Sequence, residues 1–224
     1  MLNSPGTQDQ SLGRSKSIET GLSWTPNDIG LFLRGARADA RLAGLLKGSA
    51  SLEPAERIGR QPTALHTRAS AFNQLYAETA GDPWLSASPR YRYQARKYDA
   101  LVSMLPEGRR FPRALDIGCG AGLLTRRLAP VCDSILAVDI SSVAIQYARE
   151  RSSSLDNISF EQHDILQADS EGWSEAFDLI VIADTIYYLP EEALSDASLK
   201  SLALRFARML TPGGLLLVAN HFFS

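Results

Sequence analysis

Three aspartates and a run of glycines are the residues here whose types and spacing suit ligand chemistry. Asp116 stands one residue before Gly118-Cys119-Gly120-Ala121-Gly122, with Ile117 between, at the end of a short apolar run. Glycines in such a turn let the backbone approach a ligand closely and adopt conformations closed to other residues. Asp139 follows Gly118 by 21 residues (139 − 118), at the end of a second apolar run. A carboxylate at that spacing can accept from both hydroxyls of a ribose, as in dinucleotide enzymes. It equally suits a turn, because Ser141 beside it is a good helix cap. Asp164 ends a third run after His163. It could accept from an adenine amino group while Ile165 packs on the ring, or simply serve its loop.

Elements that would position these groups follow from the pattern. Strands are expected over 114–117, 134–138, 158–162, 177–183 and 215–219, with helices over 123–129 and 143–151 between them. A longer helix is marked by Leu199, Leu202, Phe206 and Leu210 and stopped by Thr211-Pro212-Gly213-Gly214. Strands alternating with helices imply parallel pairing through right-handed crossovers, a doubly wound α/β sheet. Ligands in such sheets sit at the carboxyl ends of the strands, where all three aspartates fall.

Upstream, two helices are expected over 63–78 and 90–104, separated by Gly81-Asp82-Pro83, and they are placed to lie across the sheet as a lid. A further helix fits 27–46. Residues 1–25, rich in Ser, Gln, Gly and Thr, read as a flexible tail. The chain thus divides into an extension over 1–62 and a domain over 63–224.

Bulk properties exclude several classes. The 224 residues carry a formal charge of −2, with 45% hydrophobic and 21% charged residues. That charge offers no general attraction to nucleic acid or an anionic membrane. No apolar run is long enough to span a bilayer, and the N-terminus lacks the apolar core of a secretory signal, so the cytoplasm is expected. Cys119 and Cys132 suggest no disulfide framework. His66, His163 and His221 lack metal-ligand spacing, and no metal is expected.

Four motifs in order carry a resemblance. Leu115-Asp116-Ile117-Gly118-Cys119-Gly120-Ala121-Gly122, Val138-Asp139-Ile140-Ser141, Phe177-Asp178-Leu179-Ile180-Val181 and Leu210-Thr211-Pro212-Gly213-Gly214 resemble the successive motifs of Rossmann-like S-adenosylmethionine methyltransferases. Within that fold the chain is similar to the NodS-like group, named for the nodulation N-methyltransferase. The resemblance runs from about Phe72 to Phe222. It is carried by Phe72…Leu75-Tyr76, Asp82-Pro83-Trp84, Tyr93…Arg96-Lys97-Tyr98…Leu105-Pro106, Tyr187-Tyr188-Leu189 and His221.

The resemblance implies S-adenosylmethionine as cofactor and a small-molecule acceptor, an amino sugar or other amine; the group's own case is a deacetylated chitin-like oligosaccharide. It places Gly118, Cys119, Gly120, Gly122, Asp139, Ile140, Asp164, Ile165 and Ala183 around the cofactor. Asp116 would approach the methionine amino group. Arg96 or Lys97 would pair with the methionine carboxylate, and only one can face inward, because neighbours on a helix point about 100° apart. Methyl transfer to an amine needs a proton acceptor, and Asp184 and His221 lie at the right strand ends. Tyr187 and Tyr188 would line the acceptor pocket or the core.

Two departures stand out. Phe222-Phe223 replaces the Trp-Arg pair that usually follows the histidine. The group also adds antiparallel sixth and seventh strands, whereas this sequence ends at Ser224. The expectation is a sheet lacking its last two strands: either the chain is a truncated form, or its apolar fifth-strand edge is covered by a partner, a second copy or the N-terminal extension. Two rivals remain open: a non-catalytic cofactor-binding module of the same fold, and a nicotinamide-dependent oxidoreductase sharing the turn and Asp139.

Overall fold

The computed structural model describes residues 64–84, 92–167 and 172–220. The expected tail, the helix over 27–46 and His221 lie outside the described residues.

Two helices lead, α1 (Ala64–Glu78) and α2 (Arg92–Ser103). The sheet elements follow as β1 (Phe111–Ile117), α3 (Leu123–Leu128), β2 (Cys132–Asp139), α4 (Ser142–Arg151), β3 (Ile158–Gln162), β4 (Phe177–Ala183), α5 (Asp196–Met209) and β5 (Leu210–Ala219). The strand order is β3-β2-β1-β4-β5, and every pairing is parallel. The doubly wound sheet is thus wholly parallel among the described residues. The order reverses between β1 and β4, which puts the mouth of the ligand crevice beside the glycine turn.

Central strands are apolar almost throughout because both faces are covered. Ala114, Ile135, Ala137, Leu179 and Val181 pack with Leu101 of α2, Leu124 and Leu128 of α3, and Ile145 and Ala148 of α4. The alternate residues Leu115, Ile117, Leu136, Val138, Ile180 and Ile182 pack with Leu202, Phe206 and Met209 of α5. Ser141 caps α4, its hydroxyl accepting from Ala144 N–H at 3.0 Å. Removing such a cap costs typically about 1 kcal/mol.

Three boundaries in the sheet differ by two residues or more from the sequence expectation. β1 begins at Phe111 and β2 at Cys132, and these two fully buried residues pair. Charged Arg110, Arg113 and Asp133 around them hide the apolar pattern. At the far edge, α5 ends at Met209 and β5 already begins at Leu210. Phe177 pairs with Leu210 and Leu179 with Leu215, so residues 211–214 bulge out opposite Asp178. That carboxylate holds the bulge, accepting from Thr211 Oγ1 and Arg113 N–H, each at 3.0 Å.

Among the described residues β5 is a sheet edge. Leu215, Leu217 and Ala219 pack inward, while Leu216 and Val218 on the opposite face are exposed. No helix of the described residues is long and apolar enough to cross a membrane.

α1 forms a third small core over α4. Phe72, Leu75 and Tyr76 pack with Ala144, Val143, Ile140, Trp84 and Tyr188. Arg151 of α4 ties down the chain after α1, donating to Ala80 and Gly81 carbonyls, both at 3.0 Å. A lid across the carboxyl ends of the strands is therefore built from side chains of α1, α2 and the loop after β4.

Candidate cofactor site

The glycine turn is seated on β2. Gly118 and Cys119 N–H groups both donate to the Val138 carbonyl, at 2.8 and 3.0 Å. Gly118 and Gly120 have φ of 72° and 52°, in the left-handed region. Space forbids side chains there as well. A Cβ on Gly118 would overlap Thr185 Oγ1 and lie 2.7 Å from its Cγ2; one on Gly120 would stand 2.6 Å from the Tyr76 hydroxyl. The turn is thus closed in by α1 on one side and by the loop after β4 on the other.

Asp139 binds the turn to the strand that supports it. Its two carboxylate oxygens accept from Gly120 and Ser141 N–H, both at 2.9 Å. Burial pushes its pKa up, and these two donors work against that shift. Asp116, 2% exposed, accepts from Thr125 Oγ1 at 2.6 Å. Burial raises it to about 6, opposed by the Thr125 bond and reinforced by the Asp139 charge. Neither carboxylate has a lysine or arginine ion pair among the described residues. The crevice therefore concentrates negative charge where a cation or hydroxyl donors would be favoured.

Beyond β3, Asp164 accepts from Leu166 N–H at 3.0 Å, which turns the chain and buries Ile165. Its other oxygen lies 3.7 Å from the Arg68 guanidinium of α1. Arg68 also donates to the Tyr188 carbonyl at 3.4 Å. One arginine thus bridges the loops after β3 and β4.

At the β4 end, Asp184 accepts from Lys97 Nζ and, at 2.9 Å, from Gln94 Nε2. Arg96 is exposed on α2, whereas Lys97 turns inward. Tyr187 and Tyr188 sit with ring centroids 4.3 Å apart, and Tyr188 continues into an aromatic cluster with Phe72 and Trp84. Trp84 in turn meets Tyr76 edge-on. Buried Ala183 closes the strand end below. The Cys119 thiol is raised well above its ordinary range by burial first and then by Asp139, which leaves it protonated.

The structure therefore gathers Asp116, Gly118, Cys119, Gly120, Asp139 and Ile140 around one turn, with Asp164 and Ile165 on one flank and Ala183, Asp184 and Tyr187 on the other. Sequence reasoning missed Thr125, Arg68, Gln94, Thr185 and Asn73, whose Oδ1 accepts from Ser141 Oγ at 2.8 Å. Only Thr125 carried a signal, nine residues after Asp116 and one turn into the following helix.

An all-parallel sheet ordered 3-2-1-4-5, with a glycine turn after its central strand and carboxylates on the neighbouring strand ends, is of the class I methyltransferase type. The chain belongs to the nodulation protein S (NodS) family, whose model matches residues 71–219. The nodulation protein S of Rhizobium tropici is 38% identical over 136 residues, covering 60% of this chain and 53% of that protein. That of Sinorhizobium fredii is 30% identical over 149 residues, covering 66% and 65%. The chain thus spans between half and two thirds of the length of these relatives. Among solved structures, the N-methyltransferase NodS of Bradyrhizobium japonicum WM9, in complex with S-adenosyl-L-homocysteine, superposes with a TM-score of 0.53 at 30% identity. That match covers 65% of this chain and 72% of the other.

Proposed function

We propose that this chain binds S-adenosylmethionine on the Gly118–Gly122 turn and transfers its methyl group to an amine of a small molecule, an amino sugar foremost. The carrying observation is the pair of buried carboxylates, Asp116 and Asp139, that meet at the turn without a cationic side chain among the described residues. An amino-acid ammonium suits Asp116, and a ribose diol suits the lone pairs that Asp139 keeps beyond its two backbone bonds. The residues present fit the group. The bound S-adenosyl-L-homocysteine of the B. japonicum relative supports the same reading.

In this reading Asp164 and Ile165 flank the adenine, and Ile140 packs under the nucleoside. When bound, the cofactor supplies a methyl group on a sulfonium whose leaving group is already activated. The protein's task is to align a neutral amine with that methyl and keep water out. Tyr187 lines the acceptor side. Asp184, and His221 from the segment after β5, accept the proton that the amine loses. The exposed Leu216 and Val218 support a partner or second copy covering the β5 edge.

The test is calorimetry with S-adenosylhomocysteine, followed by transfer of labelled methyl to partly deacetylated chitin oligomers and a panel of amines. Binding with turnover is expected. Failure to bind ends the reading; binding without turnover on any amine would leave a cofactor-binding module instead.

A further inference from the structure

Lys97 holds the one cation that meets a carboxylate at the β4 end of the crevice among the described residues. Both partners are largely withdrawn from water, with side-chain exposures of 14% and 15%. Gln94, one turn earlier on α2, donates 2.9 Å to the other oxygen of Asp184 and 2.8 Å to the Tyr98 hydroxyl. Asp184 is anchored through its backbone. Its backbone is left-handed, φ 54°, and its N–H donates to the Ala219 carbonyl at 2.7 Å. An aspartate in that region is held there by its surroundings. Its next residue, Thr185, presses on Gly118. The ammonium of Lys97 thus pairs with the residue just before Thr185, on a flexible stem, as a point charge with three donors and no planar geometry to satisfy.

Resting on the cofactor assignment above, we propose that Asp184 and the methionine carboxylate of the cofactor compete for Lys97, so that filling the turn frees Asp184 for the acceptor amine. A ligand with an amino-acid end brings a second carboxylate against the same partly buried ammonium. Lys97 swings to it, and Asp184 keeps only the neutral Gln94 donor. The freed oxygen takes the proton of the amine as its nitrogen forms the new C–N bond and the C–S bond breaks, leaving a thioether. Before the cofactor arrives, the lysine occupies this acceptor. Cofactor occupancy therefore precedes proton acceptance.

The test compares S-adenosylhomocysteine with 5′-methylthioadenosine, which shares the nucleoside and thioether but lacks the amino-acid end. In the unaltered chain, the lysine ammonium resonance of Lys97 should shift on adding the former and stay in place with the latter. Asp184→Asn should bind S-adenosylhomocysteine several-fold more tightly with methylthioadenosine unchanged, because Lys97 no longer leaves a charged partner. Lys97→Met should lose most of the preference between the two ligands. A Lys97 signal unmoved by bound S-adenosylhomocysteine would overturn the competition. So would an Asp184→Asn variant that still binds methylthioadenosine normally but holds S-adenosylhomocysteine no more tightly. If neither nucleoside binds the unaltered chain, the cofactor assignment falls, and the competition with it.

Discussion

The hydroxyl of Tyr76 occupies the space that any side chain at Gly120 would need, 2.6 Å from an ideal Cβ. The lid helix and the turn beneath it are thus fitted to each other atom against atom. Tyr76 is almost fully buried, and burial, followed by the Asp139 charge, pushes its phenol far above the ordinary range. It stays neutral and acts as a shaped wall.

Gly120→Ala should therefore harm both stability and binding. Strain at φ 52° and the overlap together cost about 1–3 kcal/mol, read as a lower midpoint in thermal unfolding. Affinity for S-adenosylhomocysteine should fall by roughly 5- to 150-fold, that same energy read as a ratio of dissociation constants. Tyr76→Phe removes the overlapping atom, since the next nearest ring atom is 3.7 Å away. The double variant should recover part of the loss, a non-additivity that contacting residues show. Strict additivity would mean the fit is unimportant.

Asp139→Ala should act twice. It removes the acceptor for Gly120 and Ser141 N–H, at a cost of about 1–3 kcal/mol for buried donors left unpaired. It should also weaken S-adenosylhomocysteine by roughly 10–100-fold, the worth of charge-assisted hydrogen bonds to two hydroxyls. Unchanged affinity in calorimetry would remove Asp139 from the site.

Asp116 makes the empty protein pH-sensitive. Its pKa is raised from 3.8 to about 6 in the fold, so between those values the native state holds more protons than the unfolded chain. Stability attributable to this group then falls as pH rises through that window and is level above it. Asp139, also raised, adds in the same direction. Asp116→Asn should flatten the slope of unfolding free energy between pH 4 and pH 6. A ligand ammonium favours the ionised carboxylate, so S-adenosylhomocysteine affinity should weaken as pH drops below about 6, by up to about tenfold per unit. A profile that keeps its shape in Asp116→Asn would assign the effect elsewhere.

Arg68→Met should loosen the lid. It breaks the 3.7 Å pair with Asp164 and the bond to the Tyr188 carbonyl. The loss should be about 2 kcal/mol, between the values typical of exposed and fully buried pairs. Faster amide exchange in α1, with β1 and β4 unaffected, is the expected pattern. Uniformly faster exchange would instead indicate global destabilisation.

Much of the scaffold was legible in advance for a local reason. A strand covered on both faces must be a short apolar run, and a crossover helix must follow it. Hence β3 and β4 fall where the pattern put them, residue for residue, and Asp116, Asp139 and Asp184 stand at or beside strand ends. The misses are equally local in cause. Pro112, Arg113 and Asp133 interrupt the apolar pattern of β1 and β2, and the four-residue bulge in β5 looks like a simple stop.

Periodicity along the chain decides which residues reach the crevice, because a strand end and the turn after it are adjacent by covalent connection. It cannot decide contacts between elements far apart in sequence. That Lys97 and not Arg96 turns inward depends on how α2 rolls against α3 and β4. Tyr76 meets Gly120 across 44 positions (120 − 76), and Arg68 meets Asp164 across 96 (164 − 68), because α1 docks on α4 through Phe72, Leu75 and Ala144. Such pairings have no spacing rule. They exist only once burial of those apolar side chains has fixed one helix on another.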